Sequence, residues 1–317
     1  MWLWLALAAG LYFMLRWFRG KQILSNLTDK YVFITGCDSG FGNLLARQLD
    51  CRGLHVLAAC FTPQGAEKLK EHTSERVQTI ILDVCSTESV ARATEWVKSQ
   101  VGDKGLWGLV NNAGISIPTA SNDWLTKEHF RKIMDVNFLG VVDVTLHMMP
   151  LLRKARGRVV NVASVMGRLS FFGGGYCPSK YAVEAFSDSL RRENFSFGVK
   201  VCIIEPGYFK TTVTNEDIVS ENFKGLWEQL PDETKEVYGE PFLQAILKSV
   251  SVMHSRCNSN LRLVTDAMEH GLIAVHPCTR YSAGWDAKLF YLPLSYMPSW
   301  LADMVLTWSY PKPSQSK

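Results

Sequence analysis

Tyr176-Cys177-Pro178-Ser179-Lys180 places a phenol and an ammonium at i and i+4, and Ser164 stands twelve residues upstream. On a helix, positions i and i+4 share one face. An unperturbed tyrosine, with a pKa of about 10, is a poor base near neutrality. A cation one turn away favours the phenolate and lowers that value toward the range a general acid/base needs. Ser164 supplies a hydroxyl that could hold a substrate oxygen beside the phenol. Pro178 fits only the first turn of a helix, so Tyr176 is expected at a helix mouth. A Y-x-x-x-K pair also arises on solvated helix faces, so its meaning depends on the elements around it.

A second stretch with chemical meaning lies near the start of the chain. Tyr31-Val32-Phe33-Ile34-Thr35 is a short β-rich run that passes directly into Gly36-Cys37-Asp38-Ser39-Gly40-Phe41-Gly42. Glycines allow a tight turn and a close backbone approach to a pyrophosphate, and the following helix offers N–H groups and a positive dipole end. The spacing, G-x-x-x-G-x-G, departs from the G-x-G-x-x-G fingerprint. An acid at the end of the second strand would accept a ribose hydroxyl, and an arginine there would take a 2′-phosphate. Cys60-Phe61-Thr62 supplies neither, and Ser39 is not basic, so the cofactor expected is NAD. Asp83 could accept from the adenine amine or act as a helix N-cap.

The elements that must position these groups alternate along the chain. Strand-like runs fall at 31–35, 55–60, 79–82, 106–110, 158–162 and 199–204, with helices of ten or more residues expected between them. Near-continuous apolar strands alternating with helices predict a parallel sheet buried on both faces, hence an α/β, doubly wound, Rossmann-type single domain. After Pro206-Gly207 the rhythm breaks, and residues 208–260 read as helices and loops forming a lid. Residues 279–284 suit a last short edge strand. Apolar residues make up 47% and charged residues 20%, a globular balance, and the net charge of +4 does not argue for nucleic acid. The eight cysteines include no zinc-type C-x-x-C pair, and neither a metal site nor a disulfide framework is expected.

Both ends of the chain read as membrane-directed. Residues 1–15 carry no charge, and Arg16, Arg19 and Lys21 follow them. That order is wrong for a cleaved secretory signal and fits an uncleaved anchor over residues 1–21, with the body facing the cytosol by the positive-inside rule. Fifteen helical residues cover only about 22 Å, so aromatic flanks and snorkelling arginines would have to extend the reach. Residues 286–317 form an apolar, aromatic tail broken by Pro293, Pro298 and Asp303, suited to lying on a membrane or covering a substrate mouth. The sequons at Asn26 and Asn194 matter only if the body is lumenal.

Taken together, residues 30–285 resemble the short-chain dehydrogenases/reductases, and within them the membrane-bound retinol and oxidative hydroxysteroid dehydrogenases. The resemblance rests on Thr35 to Gly42, Asn111-Asn112-Ala113-Gly114, Asn137, Ser164, Tyr176, Lys180, Pro206-Gly207 and Arg280 to Ala287. It implies that Tyr176 takes the alcohol proton as hydride passes to NAD, that Lys180 lowers the Tyr176 pKa and binds the nicotinamide ribose, and that Ser164 holds the substrate oxygen. Asn137 would anchor a water between Lys180 and solvent. Thr35, Gly36, Ser39, Gly40, Phe41, Gly42, Asp83, Asn111, Ala113, Gly114, Pro206, Gly207 and Thr211 would surround the dinucleotide. The Ser164-to-Tyr176 interval is one residue shorter than in many members. Met166, Phe171, Phe172, Tyr208 and Phe209 flank these groups in sequence and could line an apolar pocket. The expected activity is NAD-dependent oxidation of retinol, and also of 3α-hydroxysteroids, by an endoplasmic-reticulum membrane protein, with a homodimer allowed. The alternatives are a steroid-specific or NADP-linked enzyme on the same fold, and a catalytically silent nucleotide-sensing scaffold.

Overall fold

The computed structural model describes residues 2–316. Seven parallel strands form one sheet: β1 (Tyr31–Thr35), β2 (His55–Cys60), β3 (Val77–Ile81), β4 (Gly108–Asn111), β5 (Arg158–Val162), β6 (Lys200–Pro206) and β7 (Arg280–Ala283). Their order is β3-β2-β1-β4-β5-β6-β7, so the chain reverses its winding between β1 and β4. A doubly wound sheet opens a crevice at that point, beyond the carboxyl ends of the strands.

Helices cover both faces. They are α1 (Trp2–Gly20), α2 (Gly40–Cys51), α3 (Pro63–Lys70), α4 (Thr87–Val101), α5 (Lys127–Met134), α6 (Gly140–Ala155) and α7 (Tyr176–Glu193). Beyond β6 come α8 (Glu216–Glu228), α9 (Asp232–Tyr238), α10 (Glu240–Arg256) and α11 (Arg262–Ile273), and beyond β7 α12 (Leu292–Ser295) and α13 (Ser299–Thr307). Successive strand residues point to opposite faces. Val32 and Ile34 of β1 therefore pack with Leu45 and Leu49 of α2 and Met268 of α11, and Phe33 packs with Val97 of α4 and Val144 and Met148 of α6. Full burial of each such side chain contributes about 1.5–3 kcal/mol.

Strands β1, β2 and β5 fall where their apolar runs place them. β3 starts two residues before its expected Thr79, because Gln78 interrupts the run on a half-covered outer strand. Helix α3 has eight residues, not ten or more: Thr62 caps its start through Gly65 N, and the chain turns after Lys70. Residues 127–155 run as one helical rod, long and apolar enough to cross a membrane. The rod nonetheless buries Ile133, Val144, Met148 and Leu152 inside the body, which identifies it as a core helix. Helix α1 falls within the span 1–21 expected of an anchor and extends past the uncharged run, and its nineteen residues cover about 28 Å.

Candidate active site

β1 delivers the chain into the glycine turn, and neighbouring backbone sets which residues fit there. Gly36 has φ +70°, and a Cβ on it would lie 2.8 Å from Ala113 Cα. A Cβ on Gly42 would collide with the Gly36 carbonyl, so α2 can lie this close to the turn only with glycine there. Helix α2 begins at Gly40 behind Ser39, whose side chain makes no capping bond among the described residues. The first-turn N–H groups and the positive helix end therefore face a cavity of about 790 Å³ lined by Gly36, Ser39, Gly40 and Phe41.

Thr35 and Asn111 take a different place from the one expected. Thr35 is buried, and its Oγ accepts from Asn112 N and Ala113 N, both at 3.0 Å, tying the end of β1 to the loop after β4. Asn111 donates to Thr145 Oγ and Asn161 Oδ1, both at 2.8 Å, inside the sheet–helix core. Neither lines the cavity, and nor does Gly42; all three shape the turn and the strand ends. Asn112 does line it, with its Nδ2 donating to the Thr35 and Gly36 carbonyls at 2.9 and 3.0 Å.

The acid missing from the end of β2 is supplied from elsewhere. Asp38, in the glycine turn, accepts from Phe61 N (2.8 Å), Thr62 N (2.9 Å) and Thr62 Oγ (2.8 Å). A carboxylate thus stands at the second strand's end in the cavity wall. Asp83 lines the same end of the cavity and accepts from Cys85 N at 2.9 Å, while Ser86 caps α4.

At the other end of the cavity stand Ser164, Tyr176 and Lys180. α7 begins at Tyr176 behind Gly175, with Pro178 in its first turn. Ser164 follows β5 and accepts from Met166 N at 3.1 Å, and it lines the cavity with Tyr176, whose charged form its hydroxyl favours. Lys180 lies 5.7 Å from the Tyr176 ring centre and donates to the Val162 carbonyl at 2.8 Å. The expected depression of the phenol does not occur. Burial pushes Tyr176 up to about 12 against the Ser164 hydrogen bond, and burial holds Lys180 down to about 8. Desolvation penalises both charged forms more than a cation at this distance repays.

Asn137 is fully buried in a π-turn, Asp135–Leu139, between α5 and α6. It grips Ile115 in both directions, accepting from N and donating to O at 2.8 Å, and donates to Ser179 Oγ at 3.1 Å. Gly114 lies between it and the lysine: a Cβ there would be 3.3 Å from Asn137 Oδ1 and 3.8 Å from Lys180 Nζ. Ala113, Gly114, Pro206, Gly207 and Thr211 all line the cavity.

The apolar candidates divide. Met166, Phe171, Phe172 and Tyr208 gather around Tyr176 with Cys177 and Ala287. Phe172 stacks on Tyr176 at 6.1 Å. Phe209 goes elsewhere: its ring meets Phe41 edge-on at 5.6 Å and joins the cavity wall. Tyr291 was missed; it stacks on Phe171 at 6.3 Å and lies 5.8 Å from Tyr208. Asp286 was missed too, and its carboxylate accepts from Tyr208 N at 2.7 Å. Only the apolar character of the tail could have pointed to Tyr291. The cavity as a whole fits a dinucleotide, with a polar acidic end, a helix N-terminus at mid-length, and a phenol, hydroxyl and amine at the far end.

Comparison with known proteins agrees with this geometry. The family described as short chain dehydrogenase matches residues 30–222. Retinol dehydrogenase 16 of Homo sapiens is 63% identical over 316 residues, 100% of both chains. The 17-beta-hydroxysteroid dehydrogenase type 6 of Homo sapiens is 58% identical over the same full span, 100% of both chains. Among solved structures, an alcohol dehydrogenase from the archaeon Thermococcus sibiricus complexed with 5-hydroxy-NADP is 28% identical, with a TM-score of 0.54 over 57% of this chain and 77% of that one.

Proposed function

Because the chain belongs to the short-chain dehydrogenase family, we propose that it oxidises retinol to retinal, and hydroxysteroids of similar apolar bulk, with NAD. The observation that carries this reading is that Ser164, Tyr176 and Lys180 line one cavity together with the glycine turn, Asp38 and Asp83. The cofactor is a nicotinamide dinucleotide, which when bound would supply the acceptor for the carbinol hydrogen.

This chain's own groups do the rest. Ser164 Oγ holds the alcohol oxygen, and Tyr176 Oη accepts its proton. The Lys180 ammonium offsets charge forming on the phenol, while the Val162 carbonyl fixes its position. Asn137 keeps Ile115 and Gly114 in place beside that amine. NAD in preference to NADP follows from Asp38, whose carboxylate would repel a 2′-phosphate at the end of β2. The apolar rings around Tyr176 favour a water-insoluble alcohol, and helix α1 would hold the protein in the endoplasmic-reticulum membrane.

Turnover of retinol and of a 3α-hydroxysteroid, each with NAD and with NADP, ranks the substrates and cofactors. Tyr176→Phe is expected to lower kcat by at least about 10²-fold, the usual worth of a positioned acid/base, while dinucleotide binding followed by fluorescence stays intact. A variant as active as wild type would remove Tyr176 from the mechanism, whereas a wild type that turns over no alcohol would leave the nucleotide-sensing scaffold as the better description.

A further inference from the structure

The wall of rings around Tyr176 is held from behind by a carboxylate that does not itself line the dinucleotide cavity. Asp286 follows β7 by three residues and stands at the head of the helical turn Ala287–Tyr291. Two glycines leave room for it. A Cβ on Gly207 would collide with both oxygens of the Asp286 carboxylate, and one on Gly284 with Asp286 Oδ1. Gly284 also has φ +98°, a conformation that a side chain would strain. The carboxylate thus fills a slot cut into two separate segments, just past β6 and just past β7. A donor stands in that slot: Tyr208 N donates to Asp286 Oδ2 at 2.7 Å. A backbone N–H bonded to a carboxylate is about twice as strong as a neutral pair.

Neutral bonds fasten the rest of this loop. Gly207 N donates to the Ala283 carbonyl, Asn258 N to the Tyr208 carbonyl and Lys210 N to the Asn258 carbonyl, each at 2.9 Å. Asp286 and Asn258 therefore hold the two peptide units that flank the Tyr208 Cα, and those units set the direction in which its side chain leaves the backbone. That side chain belongs to the ring wall. It lies 5.8 Å from Tyr291 and packs in one cluster with Met166, Phe171, Phe172 and Tyr176. Ala287, the residue after Asp286, is fully buried in the same cluster. One short stretch beyond β7 thus supplies a ring of the wall and the clamp on a second ring.

We propose that Asp286 is a positioning residue for substrate: by clamping the Tyr208 peptide it fixes the Tyr208 ring as a wall that seats a bulky apolar alcohol against Tyr176. Asp286 acts on substrate fit through Tyr208, and not on the dinucleotide. The substrate half rests on the reading of the site as an alcohol dehydrogenase; the clamp itself does not.

Steady-state kinetics of the full chain in detergent, with retinol and NAD, test the first half. Asp286→Ala is expected to raise KM for retinol about tenfold at little-changed kcat, the signature of lost binding rather than lost chemistry. The dissociation constant for NAD, followed by fluorescence, should stay within about twofold, since the bond lost is not to the cofactor. Asp286→Asn keeps an acceptor of the same shape but without charge, and should recover most of the loss, to a KM about threefold above wild type. Because the effect passes through Tyr208, it should vanish in a Tyr208→Ala background, the double variant being no worse than Tyr208→Ala alone. If Asp286→Ala does not fold, the same cycle with Asp286→Asn must show the same coupling at smaller size. Additive losses, or a weakening of NAD binding that matches the rise in KM, overturn the proposal. Hydrogen exchange over residues 206–210 tests the clamp without turnover. The Tyr208 amide should exchange at least about tenfold faster in Asp286→Ala than in wild type, with Asp286→Asn in between. Equal exchange in all three overturns the clamp. A wild type that shows the protected amide, freed in Asp286→Ala, yet turns over no alcohol removes the site reading and leaves the clamp standing.

Discussion

A buried phenol with its value pushed up to about 12 is a worse base than tyrosine in water, so its usefulness here depends on the amine beside it. The sign of the pH dependence follows. Alcohol oxidation should climb with pH as the phenol gives up its proton, and stop gaining once Lys180, held down to about 8 by burial, loses its own charge. Lys180→Met leaves burial unopposed, so the rising limb of kcat/KM should move to higher pH; an unaltered profile would remove the lysine from the chemistry. Asp38 makes a second residue-scale prediction. Asp38→Asn keeps an acceptor for Thr62 but removes the charge, and should improve kcat/KM with NADP relative to NAD by about tenfold, the equivalent of ~1.4 kcal/mol. Equal ratios in mutant and wild type would show that cofactor choice lies elsewhere. The sequence shows Asp38 plainly but not its position, because the acid reaches the end of β2 from a turn in a different part of the chain. A search for it among Cys60, Phe61 and Thr62 could not succeed. Asn111 fails for the converse reason: it sits in the right motif, yet hydrogen bonds to Thr145 and Asn161 hold it inside the core.

Between the elements runs a buried charge network that ties the catalytic loop to the rest of the body. Arg168, just past Ser164, pairs with Glu205 at 2.9 Å and donates to the Tyr296 hydroxyl in the tail. Arg280 of β7 reaches Glu184 of α7 at 3.0 Å and Asp188 at 3.2 Å. Burial and the nearby Glu205 push Glu184 up to about 7. Arg168→Met would leave Glu205, only 2% exposed, beside a more distant Arg280 at 3.8 Å. Breaking a buried pair in this way should cost roughly 3 kcal/mol, read as a lower denaturant midpoint in detergent. A loss below about 1 kcal/mol would mean that the pair behaves as a surface bridge. Arg168 was not legible as a network residue, since its partners lie in β6 and in the tail. Strands β1, β2 and β5 were legible, because continuous apolar runs buried on both faces have few other uses. The π-turn holding Asn137 was not: only the oddity of an asparagine inside a helical run hinted at it.

For the molecule as a whole, the open issue of sidedness now has a sharper test than the sequence offered. Asn194 is 1% exposed. Its Oδ1 accepts from Arg153 Nε at 3.1 Å and its Nδ2 donates to the Leu190 carbonyl at 3.0 Å. The folded body cannot present that amide to a glycosylating enzyme, so a bare Asn194 says nothing about orientation. Asn26, exposed just past the foot of α1, is the informative sequon. Basic residues at the body end of α1 favour a cytosolic body. In sealed microsomes, added protease should then digest the body, and Asn26 should carry no glycan. A protected body with a glycosidase-sensitive mass at Asn26 would place it in the lumen, and the Asn26→Gln variant would confirm where that mass resides.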